Sequence, residues 1–245
     1  MQRETTRAQP TGAEERFRAA RELLRGPRLL HISSHPVRWL WHRIRSLFAD
    51  HTVVHGPEIL PADEARRVRE LLGGEEGEVL ALGPGQALRP DIAHTLFCAI
   101  AGRHGAARVI AAGRVFRAGA GGELAAPAFH QCGALAIGEG LSGDDLRWTF
   151  IGLCKNLLPE RDLHFEKAAR AAFAEWWRVA LPWRGTMVHV ASGGVLRGEA
   201  LARWGFADKR FSGILWKLGL ERVALVRLGL ERVAEVQEEG LRVGW

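Results

Sequence analysis

The chain has 245 residues, which suits one large domain or one domain with a short appendage. It is 47% hydrophobic and 25% charged with a formal net charge of +6, so general disorder is excluded. No apolar run is long enough for a transmembrane helix, and the first residues, MQRETTRAQPTGAEER, lack the apolar segment of a secretory signal peptide. Three cysteines without CxxC spacing predict no disulfide framework and favour a reducing cytoplasm.

The first half of the chain predicts helices that alternate with short strands. The first twelve residues are expected to form a disordered tail, and the glycine and proline positions that follow end the predicted elements. These elements are a helix over 13–25, an amphipathic helix over 36–48, a strand over 51–58, a helix over 63–72, a strand over 79–82 and a helix over 91–103.

The second half begins with two strands, 108–117 and 129–137, joined by a glycine-rich loop, which predicts an antiparallel hairpin. Ser142 with Asp145 three residues later predicts a capped helix that runs to about residue 158. The later elements are a helix over 166–177, a strand over 186–191, a helix over 195–204, a strand over 212–217 and a helix over 218–228. Hairpin-connected strands with inserted helices indicate an α+β fold, an antiparallel sheet flanked by helices.

Positive charge is concentrated near the N-terminus. Residues 1–50 hold ten arginines and five acidic residues, whereas the rest of the chain is nearly balanced. A basic arm on a neutral body suits a polyanion such as RNA. The other interpretation is a solvated Arg/Glu helix, since only four of the 34 basic residues are lysine.

Histidine and cysteine lie close together at two places in the sequence, His94 with Cys98 and His130 with Cys132. Both residue types can bind zinc, which usually takes four ligands. No second pair completes a zinc set, so the sequence predicts no such site.

Three segments follow one another in a recognisable order. In the first, His35-Pro36 opens a helix and Gly56-Pro57-Glu58 closes a strand. In the second, Gly113-Arg114-Val115-Phe116-Arg117 precedes Phe129-His130-Gln131, with Phe129 twelve positions after Arg117. In the third, Phe211-Ser212-Gly213 runs into Gly219-Leu220-Glu221-Arg222. These segments resemble motifs 1, 2 and 3 of the class II aminoacyl-tRNA synthetase catalytic core, and are most similar to the phenylalanyl α subunits and their pyrrolysyl relatives.

The resemblance implies activation of an amino acid or another carboxylate by ATP with Mg²⁺, followed by acyl transfer to tRNA or another acceptor. Arg117 would contact the α-phosphate and the carboxylate, Phe129 would stack on adenine, and Arg222 would reach the γ-phosphate. Glu221 would hold magnesium or an arginine. Two anions meet in this reaction, so positive charge is needed where they approach. Alternatively, the two arginines form surface ion pairs and Phe129 belongs to the core.

The implied substrate pocket departs from the family. Gln131, Gly133, Leu215 and Lys217 would line it, yet Gly133 replaces the glutamate that pairs with the substrate ammonium, and Lys217 replaces a glycine. Both changes disfavour a cationic ligand and favour one with extra negative charge or without an ammonium. In the alternative, Lys217 points to solvent and Trp216 points inward.

Further departures leave a second function open. Gly119 and Ala125 stand where the family has an acid and a histidine, and Asp91 matches neither group of relatives in the element before motif 2. Such losses are also typical of a catalytically degenerate paralogue that acts as a binding or regulatory subunit.

The resemblance also suggests an organisation and partners. Residues 1–30 would be a basic tail and helix, and residues 31–245 the catalytic core. Any tRNA would be recognised mainly at its acceptor end, since little chain follows residue 230. An apolar stripe with Trp41 and Phe48 on the motif 1 helix predicts a homodimer, unless the stripe packs on the sheet. No membrane partner is expected, and the predicted location is the cytoplasm.

Overall fold

The computed structural model describes residues 12–73, 79–206 and 210–242. Within these ranges the strands are β1 (Thr52–Val53), β2 (Ile59–Pro61), β3 (Ala81–Gly83), β4 (Gln86–Leu88), β5 (Ala107–Phe116), β6 (Ala128–Gly138), β7 (His164–Lys167), β8 (Phe173–Trp183), β9 (Thr186–Leu196) and β10 (Ser212–Gly219). Seven of them form one sheet in the order β1-β5-β6-β10-β9-β8-β7, and β2-β4-β3 form a small second sheet. In the large sheet β1 runs parallel to β5, and the other neighbours are antiparallel.

The helices are distributed over both faces of the large sheet. They are α1 (Gly12–Leu24), α2 (Pro36–Leu47), α3 (Ala62–Leu71), α4 (Ala93–Ile100), α5 (Gly143–Leu157), α6 (Gly198–Ala202), α7 (Leu220–Leu228) and α8 (Val233–Val236). Among the helices in the described ranges, none has the length and apolar character that crossing a membrane requires.

Two apolar clusters, one on each face of the large sheet, pack it against the helices. On one face, α2, α5 and α7 pack on alternate residues of β10, including Trp216. On the other face, α3, α4 and α6 pack on the intervening positions, including Leu215. Successive side chains of a strand point to opposite faces, so Leu215 and Lys217 share the α4 side and Trp216 lies on the other. This largely antiparallel sheet with flanking helices confirms the predicted α+β class.

Local signals correctly placed several elements. His35 caps the start of α2, where its Nδ1 accepts a hydrogen bond from the backbone N–H of Val37 at 3.2 Å. Ser142 and Asp145 form the predicted capping box at α5, with the Asp145 carboxylate accepting from the Ser142 N–H at 2.9 Å. Side chains that satisfy the first free N–H groups of a helix specify where it starts.

The helix predicted over 166–177 is wrong, because these residues form the end of β7, the turn after it and the start of β8. Tryptophan and phenylalanine favour strands, but the pairing of β8 with β9 shifts register after Phe173 and again after Val179. Each irregularity interrupts the period of two by which a strand is recognised. The hairpin turns at Arg184 and Gly185, whose φ angles are 48° and 80°. Positive φ at both turn residues matches the twist of antiparallel strands.

Other predicted boundaries also change. Of the strand predicted over 51–58, only the two residues of β1 are in a strand. The next strand, β2, begins after the predicted range and belongs to the small sheet. The helix predicted over 195–204 shortens to α6, because β9 continues to Leu196. Strand β4 and helix α8 were not predicted. Residues 1–11 of the predicted tail lie outside the described residues, and Gly12 already belongs to α1.

A buried arginine joins α1 to the large sheet. Arg114 of β5 donates hydrogen bonds to the Leu24 and Gly26 carbonyl oxygens at 3.1 and 2.8 Å. Its guanidinium also donates to both carboxylate oxygens of Glu58, at 3.0 and 2.5 Å. Burial by itself would raise the pKa of Glu58, but the hydrogen bond and charge of Arg114, with Arg28 nearby, lower it below the usual 4.5.

Glu58→Gln should lower the free energy of unfolding at pH 7 by about 1.5–3 kcal/mol, because it removes a charge-assisted pair with a buried guanidinium. A folded pKa below the unfolded pKa gives stabilisation that is present above about pH 4.5 and is lost as pH falls through the folded value. Urea unfolding should therefore show a difference between native and variant that disappears in acid. A difference that stays constant from neutral pH to about pH 3 would contradict this assignment.

Candidate active site

A cleft of about 480 Å³ opens on the α4 side of the large sheet, bordered by the loop that follows β5. Strands β6, β10, β9 and β8 contribute side chains to its floor. Six of the predicted site residues line it: Arg117, Phe129, Gln131, Lys217, Glu221 and Arg222. The structure does not place Gly133 and Leu215 among the lining residues, and Leu215 is fully buried in the apolar cluster beneath α4.

Arg117 lies against Phe129 at the end of the hairpin formed by β5 and β6. The guanidinium carbon is 5.0 Å from the centre of the Phe129 ring. Phe129 is half-buried, lines the cleft and also packs against the apolar cluster below it. The sequence left open whether Phe129 lies in the site or in the core. The ring does both, because it lines the cleft and contacts the core.

Arg222 is held by main-chain oxygens where β10 passes into α7. Its Nε donates to the Leu124 carbonyl at 2.9 Å, and its Nη1 donates to the His189 carbonyl at 3.1 Å. Leu124 belongs to the loop between β5 and β6, and His189 belongs to β9. These bonds orient the guanidinium at the cleft and connect three segments that surround it.

Glu221 has a partner that the sequence did not predict. Both of its carboxylate oxygens accept from the backbone N–H of His130 at 2.8 Å, and one lies 2.7 Å from His130 Nδ1. Both residues are buried. His130 therefore positions Glu221 rather than joining Cys132 in a metal site, and burial raises the pKa of the Cys132 thiol. A contact of Glu221 with magnesium remains a prediction.

Lys217 forms a buried ion pair with Asp91, a residue not assigned a role from the sequence. Lys217 Nζ is 2.6 Å from Asp91 Oδ2, and both side chains are 4% exposed. Arg117 Nη2 lies 3.4 Å from the same oxygen. The other oxygen, Oδ1, accepts from the Ala93 N–H at 3.0 Å at the start of α4. Asp91 therefore links the cleft floor, Arg117 and α4.

The sheet register explains why Lys217 faces the cleft. Gly133, Lys217, Ser192 and Arg178 are direct neighbours across β6, β10, β9 and β8. Directly opposite residues of an antiparallel sheet point to the same face, and all but Gly133 line the cleft. Lys217 thus lies in the cleft floor while Trp216 packs on the opposite side, so the solvent-facing alternative is not the one observed.

Gly133 has no room for a side chain. A carbon added at its Cβ position would lie 2.6 Å from the Trp216 carbonyl oxygen and 3.2 Å from Cγ2 of Ile92. The amide oxygen of the nearby Gln131 is also occupied, because Oε1 accepts a hydrogen bond from the Ile92 N–H at 2.9 Å. The close packing of β10 against Gly133 therefore excludes a glutamate at this position, and introducing one would require β10 to move.

Two residues of opposite charge that differ from the family pattern could have indicated the ion pair. Asp91 and Lys217 each differ from the resembling family, one before motif 2 and one in motif 3. A new acid and a new base in segments that border the same site predict a compensating pair. Ser192 and Arg178 carried no comparable signal. Ser192 reaches the cleft through the pairing of β9 with β10, and Arg178 through β8, most of whose first half was predicted as a helix.

Residues 75–244 match the family model described as the tRNA synthetases class II core domain (F). The chain belongs to this family. The match covers more than half of the chain and includes the segments that carry Arg117, Phe129, Glu221 and Arg222. The resemblance noted from the three motifs is thereby confirmed.

Similar curated proteins are phenylalanine–tRNA ligase alpha subunits. The protein from Prochlorococcus marinus (strain MIT 9313) is 35% identical over 121 residues, which is 49% of this chain and 36% of the relative. The protein from Acidovorax sp. (strain JS42) is 30% identical over 127 residues, again 49% of this chain and 36% of the relative. The protein from Paracoccus denitrificans (strain Pd 1222) is 24% identical over 240 residues, 85% of this chain and 65% of the relative. The chain thus spans between about a third and two thirds of these relatives.

Proposed function

We propose that this chain activates a carboxylic acid with ATP and transfers the acyl group to tRNA or another acceptor. The observation that carries the proposal is the convergence of Arg117, Phe129 and Arg222 on one cleft in a class II synthetase core. Guanidinium groups bind phosphate and carboxylate oxygens well, and an aromatic ring offers a face to a base.

In the proposed reaction, a carboxylate oxygen attacks the α-phosphorus of ATP and pyrophosphate leaves. A nucleophile of the acceptor then attacks the carbonyl carbon of the acyl-adenylate, and AMP leaves. Arg117 stands beside the floor of the cleft and would reduce the repulsion between the carboxylate and the α-phosphate. Arg222 would stabilise the negative charge of the departing pyrophosphate. Magnesium, when bound, would neutralise phosphate oxygens. Glu221 would ligate it only by giving up hydrogen bonds from His130, which now occupy both of its carboxylate oxygens.

The proposed substrate is an acid without an α-ammonium group. Asp91 already pairs with Lys217, and Glu221 already accepts from His130. Among the described residues at the cleft, these two carboxylates therefore already have partners within the protein. Gly133, which has no side chain, cannot supply a third carboxylate. An ammonium would lose its water and find no unoccupied carboxylate there, which is costly for a charged group. Because Asp91 balances the charge of Lys217, this lysine gives no added preference for a second negative group.

We further propose that residues 1–30 contact RNA at the acceptor end and that residues 31–245 form the catalytic core. The relatives are named alpha subunits, so we also propose a partner subunit of a different kind. The apolar stripe that suggested a homodimer packs within the chain: Trp41 and Phe48 contact the cluster beneath α2, and the Phe48 ring centre is 5.0 Å from that of Trp216.

Calorimetry with ATP and Mg²⁺ tests the proposal. The native chain should bind ATP, and Arg117→Gln and Arg222→Gln should each weaken binding by about 10- to 150-fold, the equivalent of about 1.5–3 kcal/mol for a lost charge-assisted contact. Arg108→Gln is the matched control, because Arg108 is exposed on β5, outside the cleft, where it pairs with Asp50. This variant should bind ATP as the native chain does.

Circular dichroism and thermal unfolding should accompany each titration, since Arg222 also holds the loop at Leu124 and strand β9 through their carbonyl oxygens. A folded Arg117→Gln variant with unchanged affinity would contradict the assignment of Arg117. Absence of ATP binding by the native chain would overturn the catalytic proposal and leave a binding role for the core.

A further inference from the structure

A second cluster of reactive side chains lies outside the cleft, where α3 packs against α4. It consists of Glu64 on α3 and of His94 and Cys98 on α4. The two residues of α4 are four positions apart and therefore lie on one face of that helix. None of the three lines the cleft.

The three side chains bring one possible ligand atom each into a small volume. His94 Nε2 is 2.8 Å from Glu64 Oε2 and 3.5 Å from Cys98 Sγ. One ligand atom from each residue lies within 4.8 Å of the others. His94 hydrogen-bonds with Glu64, and the exposed thiol of Cys98 lies against the same imidazole, 3.9 Å from its other nitrogen.

The surroundings hold the imidazole in place and leave one side open. The His94 side chain is 4% exposed, and its ring meets Trp204 edge-on with the ring centres 6.2 Å apart. The Glu64 side chain is 44% exposed, and Cys98 is also exposed. A fixed nitrogen with a carboxylate and a thiol at the surface can be reached by an ion from solvent.

We infer that Glu64, His94 and Cys98 form a binding site for a divalent cation of the zinc class, with the fourth position open to water. Zinc prefers nitrogen, oxygen and sulfur ligands at about 2.0–2.3 Å, which places tetrahedral ligands roughly 3.3–3.7 Å from each other. The separation of His94 Nε2 and Cys98 Sγ falls in this range, but Sγ is also 3.9 Å from Nδ1 and therefore lies beside the ring rather than in front of Nε2. Binding an ion thus requires the Cys98 side chain to turn toward Nε2 and the Glu64 oxygen to move outward by about 0.5 Å. A bound ion would tie α3 to the helix that starts directly after Asp91.

Titration of the full-length chain with Zn²⁺ and with Co²⁺ tests this site. We expect one ion per chain by calorimetry, and we expect the Co²⁺ form to show the thiolate charge-transfer absorption of a Co–S bond. Cys98→Ser should abolish that absorption, and Cys98→Ser and Glu64→Gln should each reduce Zn²⁺ affinity by more than about tenfold. Glu70, an exposed glutamate, lies on α3 as Glu64 does, so Glu70→Gln is the matched control. It should leave both the Zn²⁺ affinity and the Co²⁺ absorption unchanged.

Because Cys98 is exposed and the Glu64 side chain is 44% exposed, these variants should fold, and their thermal unfolding without metal checks this. No stoichiometric Zn²⁺ binding by the native chain would overturn the inference. Binding that survives Cys98→Ser unchanged would do so as well. Neither result bears on ATP binding, which is measured separately.

Discussion

Asp91→Asn should lower the free energy of unfolding by about 3–5 kcal/mol, because it leaves the buried ammonium of Lys217 without its counter-charge. The substitution keeps the size of the side chain and removes only its charge. Arg117, 3.4 Å from the same carboxylate, loses a partner as well. Urea unfolding at neutral pH measures the effect.

The double variant Asp91→Asn/Lys217→Met should recover most of this loss, since neither member then carries an unpaired charge. Glu231→Gln is a matched control, because it breaks the exposed pair of Glu231 with Arg184, whose side chains are 66% and 50% exposed. That loss should stay below about 1 kcal/mol. The ion pair would lose its assigned importance if Asp91→Asn and Glu231→Gln had equal effects.

Acids without an α-ammonium should bind to the cleft at least about tenfold more tightly than the corresponding amino acids. An ammonium placed beside Lys217 and Arg117 has no uncommitted carboxylate among the described cleft residues, so its desolvation is not offset. A thermal-shift screen in the presence of ATP and Mg²⁺ can compare each standard amino acid with its des-amino analogue. In every pair that binds, the des-amino acid should give the larger shift.

Lys217→Met identifies the source of this preference. In that variant Asp91 loses its lysine partner and becomes available to a ligand ammonium, so the difference between the two acids of a pair should narrow. Arg108→Gln again serves as the control and should keep the native preference. If an amino acid gave the larger shift in native protein, the proposed substrate class would be wrong.

Much of the fold follows from local sequence signals. The cap of α5, the amphipathic pattern of α2 and the loop between β5 and β6 each specify structure within a few residues, and all three are found close to their predicted positions. The pair of β7 and β8 was missed because the register shifts within β8 hide its alternation, so a tryptophan-rich strand resembled a loose helix. Pairing with β9 determines that structure, and such pairing is not visible in a short window.

The site divides in the same way. Arg117, Phe129, Glu221 and Arg222 belong to segments that resemble class II synthetase motifs, so the resemblance implied that they share one site. The partner of Lys217 is 126 positions away along the chain, and the partner of Glu221 is 91 positions away. Those contacts depend on which strands become neighbours in the sheet. For this reason the sequence predicted an unbalanced lysine, whereas the structure contains a neutral pair.

ATP–pyrophosphate exchange tests most directly whether the cleft activates a carboxylate that lacks an ammonium. The native chain should incorporate pyrophosphate into ATP in the presence of a des-amino acid selected by the thermal-shift screen. Arg117→Gln should reduce the exchange by about 100- to 1000-fold, and Arg108→Gln should leave it unchanged. Exchange that depends on phenylalanine or another standard amino acid, or no exchange with any acid that binds, would contradict the account.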